Sequence, residues 1–125
     1  MESLDHATLS ADERLVLERF VDVLRDRLGD GLVAVWLFGS RARGAAVVEL
    51  SDIDVLVIAD RAGWDESGRV YEALHDAARG VSRPNIAWSF SVHVRDPEWM
   101  QRRRAVGSFF AAEVDRDHID LMTAA

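Results

Sequence analysis

The chain of 125 residues has no cysteine and no lysine, and all fifteen of its basic residues are arginine. Without cysteine there is no disulfide framework and no thiolate metal site. Without lysine there is no lysine nucleophile and no P-loop lysine to hold a phosphate. No apolar run approaches the roughly 20 residues a membrane-spanning helix needs. The opening Met1-Glu-Ser-Leu-Asp-His6 lacks the basic-then-apolar pattern of a signal peptide. A cytoplasmic location without membrane association is therefore expected. Repeats, linkers and low-complexity tracts are missing too, and the length suits one domain, residues 1–125, with no room for a second catalytic module. Acidic residues number 22, for a net charge of −7. That balance argues against generic nucleic-acid binding, which needs basic surface to neutralise phosphates.

What is present reads as alternating helices and strands. Ser10-Ala-Asp-Glu13 is a capping box, after which Leu17, Phe20, Val21, Leu24 and Leu28 recur at helical spacing until Gly29. Val33 to Phe38 is an apolar run with β-branched and aromatic members, read as a buried strand ending at Gly39. Ile53 to Ala59 is apolar apart from Asp54, as expected of a strand covered on both faces. The spacing of Val70, Leu74, Ala77 and Ala78 predicts a helix over Asp65–Arg79, stopped by Gly80. Ser82–Asn85 is a loop, and Ile86–Val94 is the candidate third strand. Asp96-Pro97-Glu98 is a cap with proline at the first helical position. A further helix restarts at Phe109, and Ile119–Met122 closes the chain as a short strand or helix tail. Trp64, Trp88 and Trp99 read as core or interface anchors. Arg102-Arg-Arg104 is either a solvated helix end or a docking patch. His6, His75 and His118 are isolated and share no metal-ligand spacing.

The stretch from Leu37 to Val57 carries the chemistry. Asp52 and Asp54 stand at i and i+2 of a strand, so their side chains leave the same face with Cα atoms roughly 6.6 Å apart. Two carboxylates so placed suit a pair of divalent ions about 3.5–4 Å apart, the separation used for in-line phosphoryl displacement. At Gly39 the missing side chain lets backbone N–H groups approach an anion, and the Ser40 hydroxyl adds a donor. Arg41 and Arg43 start a short helix aimed at the same place, with guanidinium groups suited to phosphate oxygens.

Gly39-Ser40-Arg41-Ala42-Arg43-Gly44 followed by Ser51-Asp52-Ile53-Asp54 resembles the minimal nucleotidyltransferases of the DNA polymerase β-like superfamily. Their pattern is a Gly-Ser turn and helix, then a Ser-Asp-x-Asp strand about a dozen residues later. The resemblance is close over residues 30 to 60 and looser elsewhere. It implies an α/β (α+β) fold of the polymerase β-like type, a small mixed sheet flanked by helices. It also implies nucleotide binding by Gly39, Ser40, Arg41, Arg43 and Ser51, with Asp52 and Asp54 as catalytic ligands of two Mg²⁺ ions. The implied reaction moves a nucleoside monophosphate from a nucleoside triphosphate, ATP foremost, to a hydroxyl.

Family members usually add a third carboxylate from a neighbouring strand, and here Ile86–Val94 contains none. Ser89, Ser91 and His93 are the polar residues on that strand. His93 is either a general base, its reference pKa being near neutrality, or a partly buried strand histidine. Glu49, Asp60 and Asp65 are loop carboxylates that nothing local directs to the site. Small members resembling this chain often serve as antitoxins that pair with an all-helical HEPN-type ribonuclease toxin. The alternatives are a module that has kept the fold, lost the chemistry and neutralises a partner by contact, or an enzyme acting on a small molecule. Several tryptophans on an acidic chain add an expectation of a protein partner or of a homo-oligomer.

Overall fold

In a computed structural model, the structure describes residues 4, 7–44, 52–83 and 85–123. Ser10 opens helix α1 (Ala11–Leu28): its hydroxyl accepts from the Glu13 N–H while the Glu13 carboxylate accepts from the Ser10 N–H. A 3₁₀ turn at Gly29–Gly31 leads into β1 (Leu32–Phe38), and a single turn of helix, α2 (Gly39–Ala42), follows directly. Strand β2 (Ile53–Ala59) has the boundaries expected, and α3 (Trp64–Ala78) lies within one residue of those predicted.

The third strand starts later than the apolar run suggests. Asn85 takes a left-handed conformation (φ 60°) and Ile86–Ser89 coil into a 3₁₀ turn, so β3 is Phe90–Arg95. Asn is one of the few side chains that tolerates that region, and the turn buries Ile86 and Ala87 without extending them. Asp96 caps α4 (Pro97–Ala105), Ser108 caps α5 (Phe109–Asp117), and β4 is the two residues Ile119–Asp120.

The strands form one mixed sheet in the order β3-β2-β1-β4. The pairs β1–β2 and β1–β4 are antiparallel, and β2–β3 is parallel across the α3 crossover. Strand alternation sends Val35, Leu37, Ile53, Val55, Val57 and Val94 to one face, where Val16, Leu17, Phe20 and Leu24 of α1 and Val70 and Leu74 of α3 cover them. Ala34, Leu56 and Ile58 go to the other face, under Met100 of α4 and Ala111 and Val114 of α5. Strand β2 is thus buried on both sides, as its near-continuous apolar run implies.

Of the two readings of Trp64 and Trp88, core or interface anchors, exposures of 94% and 79% exclude the core. Trp64 begins α3, where the helix's apolar stripe has not yet met the sheet, and Trp88 sits on the 3₁₀ turn. Among the described residues, no helix is long and apolar enough to cross a membrane.

Candidate active site

The register brings the two halves of the motif together. Phe38 pairs with Asp54 across β1–β2, so Gly39 follows immediately beside the Asp54 side chain. Gly39 has φ 77°, the left-handed region that favours glycine, and a methyl group there would collide with Asp54 Oδ2. The turn therefore presses its bare backbone onto a carboxylate, and any side chain would separate them. Asp54 is half-buried and Asp52, two residues earlier, is exposed at the strand entrance. Burial and then the charge of Asp52 push the Asp54 carboxyl above its usual value, against the smaller opposing pull of His93, Arg41 and Arg43.

A cleft opens at this point, lined by Gly39, Ser40, Arg43 and Asp54 with Phe38, Phe110, Glu113 and Val114. Arg43 stands at its rim with its guanidinium 3.5 Å from Glu113 and 3.9 Å from Asp117. Exposed pairs at those distances are worth about 0–1 kcal/mol, so Arg43 is available to a more highly charged anion. Glu113 is the one lining carboxylate the motif does not predict. Nothing around it in sequence marks it, although Phe110 and Val114, three before and one after, identify the face of α5 that turns inward.

Arg41 is placed differently from the expectation. Its guanidinium is buried (5% exposed) and bonds to Glu13 Oε1 at 2.9 Å and to the Thr8 carbonyl at 3.0 Å. Its own carbonyl accepts from the Thr8 N–H at 2.8 Å. The physical reason is Glu13, a carboxylate buried to 4% exposure that needs a cation beside it. Glu13 Oε2 also takes Arg83 at 3.3 Å, and Arg83 reaches Ser89 Oγ at 3.4 Å. Burial alone would raise the Glu13 carboxyl. The Ser10 N–H, Arg41 and Arg83 together outweigh it and hold the group below its ordinary value. Arg41 thus braces the turn from behind, and Ser40 and Arg43 face the cleft.

On the other side of β2, Asp54 pairs with Ser91 and Leu56 with His93. By alternation Ser91, His93 and Arg95 lie on the same face of the sheet as Asp54. Ser91 Oγ is 3.4 Å from His93 Nε2. Burial, then Arg95, lowers the His93 pKa, and Asp54 opposes them more weakly. β3 supplies no carboxylate to the site. Asp60 follows the far end of β2, beside Gly31, and Asp65 is in the first turn of α3 on the opposite side of the sheet. Ser51 and Glu49 lie outside the described residues. Among the described residues no three His, Asp or Glu groups cluster to hold a metal by themselves.

Residues 17–124 match the family described as "Nucleotidyltransferase domain". A Methanocaldococcus jannaschii protein described as "Putative protein adenylyltransferase MJ1305" is 47% identical over 51 residues, 38% of this chain and 34% of that protein. The match thus spans about a third of that relative's length. Among solved structures, the crystal structure of a mutant of the toxin–antitoxin MntA–HpeT superposes with a TM-score of 0.50 at 18% identity. It covers 84% of this chain and 71% of that one, a likeness of fold.

Proposed function

This chain belongs to the nucleotidyltransferase domain family, and from that premise we propose that it moves a nucleoside monophosphate, AMP foremost, from a nucleoside triphosphate to a hydroxyl on a partner protein. The observation that carries this reading is the close approach of the Gly39 turn to Asp54, so close that a methyl on Gly39 would collide with the carboxylate, with Asp52 two residues earlier at the strand entrance. A triphosphate held by the Gly39–Ser40 turn and Arg43 would have its α-phosphorus carried to those two carboxylates. The donor set fits magnesium, which typically takes one or two carboxylates and completes its shell with substrate phosphates and water. Burial and, after it, repulsion by Asp52 raise the Asp54 pKa, and a cation held there would relieve both. Bound there, Mg²⁺ would neutralise charge on the phosphates and polarise the α-phosphoryl group.

The chain's own residues would do the rest. Ser40 and the turn's N–H groups would hold the β- and γ-phosphates, and Arg43 would leave Glu113 and Asp117 for phosphate oxygen. The acceptor oxygen bonds to the α-phosphorus, the bond to the bridging oxygen breaks, and pyrophosphate leaves with the electron pair. The acceptor proton would pass to a base on the β3 side, where His93, its pKa lowered by burial and then by Arg95, is the proposed group. The acidic surface and the likeness to a toxin–antitoxin structure support an antitoxin role. The proposed partner is a HEPN-type toxin.

One observation favours the contact-only alternative, that β3 carries no carboxylate. ATP labelled on its α-phosphate, supplied with Mg²⁺ and extract of the source cell, decides between them. Label on one protein band with the wild type and not with Asp52→Asn/Asp54→Asn supports transfer. No label in extract containing the partner supports neutralisation by contact.

A further inference from the structure

The strand order sets the direction of the reaction. If pyrophosphate leaves on the β1–α2 side, the attacking oxygen of an in-line displacement must enter from the opposite side of β2, which is β3. On that side, past Ser91, lies a second cavity of about 280 Å³ lined by His93, Arg95, Trp99, Arg103 and Phe110. Phe110 also lines the Gly39–Asp54 cleft, so one aromatic ring is the shared wall. Phe38 stands against both sides of that wall, 5.3 Å from Phe110 and 5.9 Å from His93 between ring centroids.

The charge of this cavity is at odds with the rest of the chain. The three arginines 102–104 have three different fates. Arg102 pairs with Glu98 at 3.6 Å, and Arg104 grips Asp115 with two bonds of 2.9 and 2.7 Å. Arg103 instead lies over the Trp99 ring at 5.2 Å from its centroid, and Arg95 lies over the same ring at the same distance. Arg95 also donates to the Val94 carbonyl. Among the described residues neither arginine has a carboxylate partner, in a chain carrying 22 acids against 15 bases. A guanidinium on an indole face is worth about 0.5–1 kcal/mol at an exposed site. A charge-assisted, forked bond to an incoming carboxylate is stronger.

We propose that this cavity is the acceptor subsite, and that it selects a hydroxyl flanked by acidic residues in the partner protein. The inference rests on the transferase reading and adds what the acceptor must look like. A carboxylate of the acceptor replaces the indole as the ligand of Arg95 and Arg103, and the hydroxyl is thereby laid over Ser91 toward Asp54. Ser91 and Arg95 are four residues apart, about 13 Å along a strand. An extended acceptor segment covers that span in about four residues, which sets the spacing between hydroxyl and acid.

The test is an NMR titration of the ¹⁵N-labelled full chain, read at the Trp99 indole N–H, with Trp99→Phe to assign it. The probes are an eight-residue peptide with one serine and three glutamates, and its counterpart with glutamines. The expected result is a saturating shift with the acidic peptide and at least tenfold weaker binding of the neutral one. Arg95→Gln/Arg103→Gln should lose at least tenfold toward the acidic peptide, and Arg103→Gln alone, at an exposed position, several-fold. Mg-ATP affinity should not change in either variant. Equal binding of the two peptides, no shift at all, or unchanged binding by the variants would overturn the subsite. So would a fall in Mg-ATP affinity, which would assign the cavity to the nucleotide. Failure of the wild type to bind Mg-ATP would overturn the transferase reading and with it the acceptor role of the cavity, and the peptide titration, read without nucleotide, keeps that failure distinct from a failure of the cavity to take the acidic segment.

Discussion

Replacing Glu13 by Gln should destabilise the fold far more than an N-terminal helix residue normally does. The carboxylate is 4% exposed, it faces a guanidinium that is 5% exposed, and three groups bond to it: the Ser10 N–H at 2.8 Å, Arg41 at 2.9 Å and Arg83 at 3.3 Å. Removing one partner of a buried pair typically costs about 3–5 kcal/mol, because the other charge is left uncompensated. Gln keeps one oxygen for Ser10 and Arg41 but turns an amide toward Arg83, so the lower end, about 3 kcal/mol, is expected. That is a large share of a total stability of about 5–15 kcal/mol.

Urea unfolding followed by circular dichroism is the assay. With slopes of about 1–3 kcal/mol per M, the midpoint should fall by about 1–3 M. Replacing both partners, Glu13→Leu with Arg41→Met, should recover much of the loss, since apolar groups of similar volume often match a buried pair. The acid response has a defined sign. The Glu13 carboxyl is held below its ordinary value of 4.5, so its contribution is complete above that pH and is lost as pH falls through the lower folded-state value. The gap between wild type and Glu13→Gln should therefore close in acid. A loss below about 1 kcal/mol at pH 7, the level of an exposed pair, would refute the reasoning.

Three further outcomes are expected. Gly39→Ala, which puts a methyl on Asp54 at a positive φ, should destabilise by more than about 1 kcal/mol. It should also weaken a fluorescent ATP analogue at least tenfold, about 1.4 kcal/mol; unchanged affinity would remove the turn from the site. Asp54→Asn should abolish Mg-ATP binding in calorimetry yet raise stability at pH 7 by about 0.5–2 kcal/mol, since functional sites commonly trade stability away. The sign follows from a carboxyl held above its ordinary 3.8, whose cost to the fold is present at neutral pH and vanishes in acid below that value; a lower melting temperature would contradict it. In an NMR titration His93 should show a midpoint below 6.5, falling further in Asp54→Asn, because Asp54 is the group that raises it. A midpoint at or above 6.5 would mean the ring is better solvated than the structure shows.

Sequence pattern was most informative where one local cause decided the outcome. Strand β2 was readable to the residue because burial on both faces leaves an apolar run whose ends are charges. The cap of α1 was readable because Ser10 and Glu13 satisfy each other within one turn. The place of Asp54 opposite Phe38, at the start of the strand, follows from the same apolar run, while Asp52 stands just before the strand begins. What stayed hidden depended on partners distant in sequence. Glu13 completes its capping box, and nothing nearby shows that the same carboxylate also neutralises Arg41, twenty-eight residues on, and Arg83, seventy on. For that reason Arg41 reads as a phosphate ligand from its motif, whereas its guanidinium lies buried on Glu13 and the Thr8 carbonyl. Ile86–Ser89 has strand composition, and the left-handed Asn85 diverts it. Glu113 enters the cleft only because α5 packs against α2.

The last strand has a consequence for how the molecule is made. Ile119 and Asp120 pair with Leu37 and Trp36 across about 80 residues of chain. At synthesis rates of about 5–20 residues per second, β1 emerges from the ribosome some seconds before its outer neighbour exists. Over that interval the strand that carries the Gly39 turn has one row of unpaired N–H and C=O groups beside exposed apolar side chains, the kind of edge on which nascent chains aggregate. Ile119, Asp120 and the Leu121 N–H cover that edge from Val35 to Leu37. A chain stopped short of residue 119 would retain every residue of the cleft and leave that edge open, making it a substrate for chaperones and proteases.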